Sequence, residues 1–324
     1  MNIHFFIKIE DGGKMLIVCL YVDDLIYTGN NTAMFDSFKK SMMAEFEMSD
    51  LGMMHYFLGI EVVQSSTGIF ISQKKYVREI LDRFQMKDCN PVNTPFEFGM
   101  KLNKDNGGKK VDDTLYKQIV RSLMYLTATR PDIMHTVSVI SRYMECPTEI
   151  HLLAAKRICH YLQGTREFGL FYKNGEKSNL FGFTYSDYAR DSDDRKSTSG
   201  YVFMMGTEVV SWSSKKQPIV TLSSTKAEFV AATACACQAI WLKKILKELH
   251  FKEDGPTQIY CDNSSAINSV SVDDNVTKGC SFDDHETAPV PIMKTYPDVL
   301  FRSNFTWSKQ TYRCEVSFLE RSHE

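Results

Sequence analysis

Residues 16–30, LIVCLYVDDLIYTGN, decide the reading of the first half of the chain. An apolar run of β-formers reaches two adjacent carboxylates, Asp23 and Asp24, and a second apolar run follows at once. The pattern predicts a buried hairpin with the acids at its tip. Turn chemistry alone would suit acids there. Adjacent side chains of an extended strand point to opposite faces, so both cannot face one metal ion unless the turn twists them. The metal reading therefore has Asp23 facing the ion, with Asp24 supporting or flanking it.

Working outward, residues 3–9 and 15–22 read as strands around the turn EDGGK. Met34, Phe35, Phe38, Met42 and Phe46 recur at helical spacing. MHYFLGIEVVQSSTGIFISQ reads as a hairpin turning at Ser65–Gly68, and KKYVREILDRFQM as an amphipathic helix. Pro, Asn, Gly and charge make 89–113 the best linker in the chain. Three helices follow it: LYKQIVRSLMYLTATR, PDIMHTVSVISRYME and TEIHLLAAKRICHYLQG. From residue 178 the order becomes strand, strand, strand, helix, strand, helix. A strand that returns after a helix must cross over, which predicts a mixed sheet. The fold class is thus α/β (α+β), with no clear period beyond about residue 271.

The chain has 324 residues, enough for about two domains. Its net charge of −2 gives no overall basic footprint, so a nucleic-acid role needs local patches. The nine cysteines lack C-x-x-C spacing and read as reduced, intracellular thiols. The N-terminus is too short in apolar residues for a secretory signal. The longest apolar run, MLIVCLYV, is eight residues, against the ~20 that span a bilayer. The expectation is a soluble intracellular protein without membrane partners. Its oligomeric state is not readable from sequence.

Three acids in the second half invite a joint reading. Asp187 ends the first strand after 178, Glu228 sits in the first turn of the long helix, and Asp262 ends the next strand. Each has a plain structural role: a strand end, a Thr225-x-x-Glu228 capping box, and a turn or N-cap. Together, on this element order, they can meet at one sheet edge. Converging carboxylates repel unless a cation neutralises them. The natural cation is Mg²⁺, with Mn²⁺ as a substitute. Two such ions about 3.5–4 Å apart can hydrolyse a phosphodiester.

These residues carry a resemblance. YVDD at 21–24 resembles the catalytic hairpin of reverse transcriptases. With DLGMMHYFLGIEV, SLMYLTATRPDI and AAKRICHYLQGT it is similar to the Pol polyprotein of copia-type LTR retrotransposons. SDYARDSDDRKSTSGYVF, SWSSKKQPIVTLSSTKAEFVA and CDNSSAI resemble the RNase H domain of that family. The resemblance runs from about residue 5 to 270.

It implies a partial palm and thumb-like segment over 1–100, with HYFLGIEV near the primer end. A linker and helical connection would span 101–177, an RNase H-like domain 178–270, and a divergent tail 271–324. By motif matching, Asp23 and Asp24 become the polymerase pair, and Asp187, Glu228 and Asp262 the RNase H metal ligands. The family's polymerase has a further catalytic Asp on an earlier palm strand. The chain is thus expected to be truncated at both ends, with half a polymerase site and polymerase activity lost. A His and a fourth acid that follow in the family have no counterpart here; Asp283, Asp284 and His285 stand in the wrong context to replace them. The implied partner is an RNA–DNA hybrid or other nucleic acid. The alternatives are a non-catalytic nucleic-acid or protein-binding module, or a non-functional relic.

A hybrid is gripped mainly by its phosphates. Arg195, Lys196, Lys215 and Lys216 are the candidate contacts, with Tyr201 and Trp212 packed below them; solvated turn charges and core aromatics are the plain alternative. Asp191, Asp193 and Asp194 lack the Gly and Glu of a calcium loop.

Overall fold

A computed structural model describes residues 4–21, 24–104, 108–175, 179–251, 255–261, 292–293 and 308–313. The opening stretch folds as expected. β1 (His4–Glu10), β2 (Lys14–Tyr21) and β3 (Asp24–Gly29) form an antiparallel meander. The β2–β3 register runs from Leu16 opposite Gly29 to Tyr21 opposite Asp24. Leu16, Val18, Leu25 and Tyr27 point into a core closed by Met34, Phe35 and Met42 of α1 (Thr32–Glu45). Asn31 caps α1 by accepting the Met34 amide at 3.1 Å. β4 (Ser49–Met53) and β14 (Ser308–Arg313) complete this sheet.

A second sheet holds β5 (Tyr56–Phe57), β6 (Ile60–Ser65), β7 (Gly68–Ser72) and β8 (Gly169–Lys173). Its β6–β7 turn is where the sequence puts it, with Ser65 opposite Gly68. The hairpin ends in α2 (Lys74–Arg83). Val77, Ile80 and Leu81 of α2 share one core with α3 (Asp113–Leu126), α4 (Met134–Ser141) and α5 (Glu149–Gly164).

The stretch that reads as a linker is not a free tether. Val92, Phe96, Met100 and Leu102 rest on the helical core. The Val92 amide donates to the His160 carbonyl, and Tyr143 Oη donates to the Leu102 carbonyl. Composition reads this segment as solvated because its apolar residues follow no period.

His151 locks the start of α5. Its Nδ1 accepts the Thr148 amide at 3.0 Å, so the ring proton sits on Nε2 and donates to the Asn103 carbonyl at 3.0 Å. Burial pushes its pKa below 6.5, against the opposing pull of the Asn103 carbonyl. A second proton would face the amide that Nδ1 now accepts. The unfolded chain therefore binds this proton more readily than the native one. The stabilisation is complete above pH 6.5 and is lost as pH falls through 6.5 toward the native pKa, at up to ~1.4 kcal/mol per pH unit. Urea titrations at pH 7.5 and 5.5 are expected to show this loss. His151→Asn should be less stable at pH 7.5 and should flatten the dependence; an equal pH slope in both proteins would refute the assignment.

The third sheet is mixed, as the element order requires. β9 (Leu180–Asp187) pairs antiparallel with β10 (Thr198–Met205), which pairs antiparallel with β11 (Glu208–Lys216). β12 (Gln258–Cys261) runs parallel to β9 on its other side, and β13 (Ile292–Met293) lies beyond it. α6 (Ser224–Glu248) crosses one face and buries Ala227, Ala231, Ala232, Cys235, Ala236 and Ala239. By length and composition α6 is apolar enough to cross a membrane. Its small-residue face packs on β9 and β10.

Among the described residues six cysteines form no disulfide, whereas Cys237 is disulfide-bonded, which departs from the reading of a wholly reduced set.

Candidate active site

The mixed sheet brings two of the predicted acids to one strand end. Asp187 closes β9, and its Oδ1 accepts the Thr198 amide across the β9–β10 ladder. The sequence reading put Glu228 in the first turn of α6; with Ser223 as the cap it stands just past that turn, at 6% exposure. Its Oε1 accepts the amide of Ser186, the residue before Asp187, at 2.9 Å. Its Oε2 meets Cys261 Sγ at 4.0 Å, and Cys261 is the residue before Asp262. Ser223, not Thr225, caps α6, accepting the Lys226 amide at 3.2 Å. Glu228 is thereby turned into the sheet rather than back onto its own helix. Strand alternation puts Asp187 on the face opposite α6, the face that α4 approaches. The two carboxylates flank the strand end from its two sides.

Asp23 and Asp262 lie outside the described residues, as do Asp283, Asp284 and His285. Asp24 opens β3 opposite Tyr21, in a different sheet from Asp187. Carboxylate oxygens are the donor type Mg²⁺ prefers, and Asp187 and Glu228 fit such an ion chemically. Among the described residues no group of three metal-ligating side chains gathers.

The basic candidates separate. Lys216 is held by Asp191 at 2.7 Å and by Asp194 at 2.8 Å. Arg142, the C-cap of α4, joins the Asp191 carboxylate at 3.3 Å and donates to Thr198 Oγ1 at 2.9 Å. Burial pushes the Asp191 pKa up, but Lys216 and the amides of Asp193 and Asp194 outweigh it and hold the acid below its usual value. Asp191 and Asp194 of the discarded calcium loop are thus the anionic half of an ion-pair knot, while Asp193 accepts the Lys104 amide. Lys196 stands 3.8 Å from Asp194. Arg195 and Lys215 are exposed and have no ion-pair partner among the described residues. Arg195 sits at φ +57°, a left-handed position in the turn.

Both aromatic candidates are structural. Trp212 Nε1 donates to the Thr127 carbonyl at 2.9 Å, tying β11 to the end of α3. Tyr201 packs edge-on to Phe203 over the α6 core.

Sequence reading missed the residues that α4 adds. His135 Nδ1 lies 3.2 Å from Ser214 Oγ on β11, and its ring meets Tyr185 edge-on. Burial lowers the His135 pKa, while the nearby Asp187 carboxylate pulls the other way. Tyr185 lies across Gly200, where an added Cβ would stand 2.2 Å from the ring, so only glycine leaves it room. The helical pattern around residue 135 signals core packing and gives no hint that one face reaches another sheet.

The acid-tipped hairpin and the α/β sheets define a reverse-transcriptase-like protein. A family model described as reverse transcriptase (RNA-dependent DNA polymerase) matches residues 2–98. The chain belongs to the retrovirus-related Pol polyproteins of transposons and is retrotransposon-derived. It is 40% identical over 258 residues to the retrovirus-related Pol polyprotein from transposon RE1 of Arabidopsis thaliana, covering 80% of this chain and 18% of that protein. It is 37% identical to an uncharacterised mitochondrial protein of Arabidopsis thaliana, over 70% of this chain and 94% of the relative. A putative transposon Ty5-1 protein of Saccharomyces cerevisiae is 32% identical, over 71% and 75% of the two chains. The chain spans about a fifth of the transposon RE1 polyprotein that it matches.

Proposed function

We propose that this chain is a copia-type Pol segment whose region 178–270 is an RNase H-like unit that cleaves the RNA strand of an RNA–DNA hybrid. Residues 1–100 are assigned to palm and thumb-like segments, 101–177 to linker and connection, and 271–324 to a divergent tail. The observation that carries the reading is Glu228. One buried carboxylate touches the residues immediately before Asp187 and Asp262, the two other acids of the proposed set.

Asp187, Glu228 and Asp262 would hold the divalent ions, and Asp23 with Asp24 would be the polymerase pair. When bound, Mg²⁺ supplies a metal-activated water and charge stabilisation at the leaving oxygen. The chain's part is positional. The Ser186 amide fixes Glu228, and the Thr198 amide fixes Asp187. Exposed Arg195 and Lys215 remain available to phosphates, whereas Lys216 holds the 188–197 turn. A second reading, a binding module that does not cut, is favoured by Asp187 and Glu228 approaching β9 from opposite faces.

The test is a labelled hybrid incubated with the full chain in Mg²⁺ and in EDTA. Loss of the RNA strand in Mg²⁺ alone is expected. No cleavage by a protein folded by circular dichroism would overturn the hydrolase and leave the binding module.

A further inference from the structure

We propose that the seam between α4 and the Asp187 end of the mixed sheet is a phosphate-binding subsite for a nucleic-acid strand, built from Lys101, His135, Arg142 and Arg190. A cleft opens there, and these four side chains line it together with Asp187 and Thr198. The proposal rests on the reading of Asp187 as a cleavage-site acid, because a phosphate held here would set the register of the strand beside it.

The charges favour an anion. Asp191 also borders the cleft, but Arg142 and Lys216 already neutralise it, and it is 6% exposed. Lys101 and Arg190 are exposed and have no ion-pair partner among the described residues. Arg142 spends its two terminal nitrogens on Asp191 and Thr198, yet its Nε is buried without a hydrogen-bond partner. An unmatched buried donor beside a cleft calls for an acceptor.

His135 adds a polar ring to the lining of the cleft. Tyr185 Oη donates to Ser214 Oγ at 3.3 Å. Ser214 Oγ also lies 3.2 Å from His135 Nδ1, and when Ser214 donates in that pair the neutral ring carries its proton on Nε2. Several donors around a cleft with one unpaired acid match a phosphodiester oxygen. Two of them, His135 and Arg142, come from the helical connection, so the connection and the sheet would grip substrate as one unit.

The experiment uses the full chain carrying Lys101→Ala and Arg190→Ala, with a fluorescein-labelled RNA–DNA hybrid read by anisotropy in EDTA over a range of salt. Removing two phosphate contacts is expected to weaken binding and to cut the slope of log K against log salt by about 2, at about one per contact. Lys40→Ala/Lys247→Ala removes equal charge at exposed positions outside the cleft and should leave the slope unchanged. An unchanged slope in the first protein, or an equal loss in the second, overturns the subsite. So does failure of the unsubstituted chain to bind at low salt. Binding with the expected slope loss, but without Mg²⁺-dependent cleavage, overturns the hydrolase and supports the subsite.

Discussion

Glu228→Gln is expected to reduce Mg²⁺-dependent cleavage of the hybrid by at least about 100-fold, because even outer-shell substitutions around a metal cost ~10–100-fold and this one removes a proposed ligand. The substitution is conservative where the fold needs it. Gln keeps an oxygen for the Ser186 amide, and the side chain keeps its place near the start of α6. What it removes is the negative charge that would hold the ion. Asp187→Asn applies the same logic to β9, since Asn Oδ1 can still accept the Thr198 amide. Single-turnover cleavage of a labelled RNA strand measures the loss, and anisotropy in EDTA shows that hybrid binding remains. Full cleavage by either variant would trace the activity to a contaminating nuclease or free that acid of its assigned role.

The sequence made the local elements legible where period and punctuation agree. The hairpin around Asp23 and Asp24, the Ser65–Gly68 turn and helices α3 to α5 all follow from short-range pattern. β8 escaped because GLFYK is five residues long and finds its partner, β7, across the whole helical region. The packing of residues 89–104 escaped because its contacts are with distant residues such as His160, Tyr143 and Asp193. The same limit shaped the site. Asp187 and Glu228 were legible as acids at element ends, and their meeting through Ser186 follows from topology. Lys216 was legible as a charge, but its partners Asp191 and Asp194 were not, so a knot residue read like a phosphate contact. His135 and Arg142 were hidden because a helix's period reports that it packs, not which sheet its other face touches.

Arg130→Met is expected to be the most destabilising single change in the helical core. The TRPD stretch reads in sequence as a family motif, and the structure gives it a physical job. Arg130 is 2% exposed at the entry to the turn Pro131–Ile133 that leads into α4. Its Nε donates to Asp132 Oδ1 at 2.9 Å and its Nη2 to Asp132 Oδ2 at 2.7 Å, a forked pair. Nη1 donates to the Thr165 carbonyl at 3.0 Å, and Nη2 also reaches Thr165 Oγ1 at 2.7 Å. The guanidinium lies 5.7 Å from the Tyr161 ring centroid and 5.4 Å from that of Phe168. One side chain thus ties the start of α4 to the end of α5. Methionine fills similar volume but takes the guanidinium away from Asp132, which keeps the Tyr161 hydroxyl, and from the Thr165 carbonyl, which keeps the Phe168 amide. Asp132 stays partly solvated, so the loss is that of hydrogen bonds to a charged group, ~1.5–3 kcal/mol. For a cooperative unit of this size, that is a fall in Tm on the order of 10 °C. Arg130→Lys keeps the charge but loses the fork, so an intermediate fall is expected. Arg130→Met/Asp132→Leu removes the Asp132 charge as well and should recover part of the loss, because an apolar replacement of a whole buried pair is often neutral. Thermal melts of the three proteins against the unsubstituted chain decide the matter. A Met variant melting with the parent would show that Arg130 is held by the fold rather than holding it.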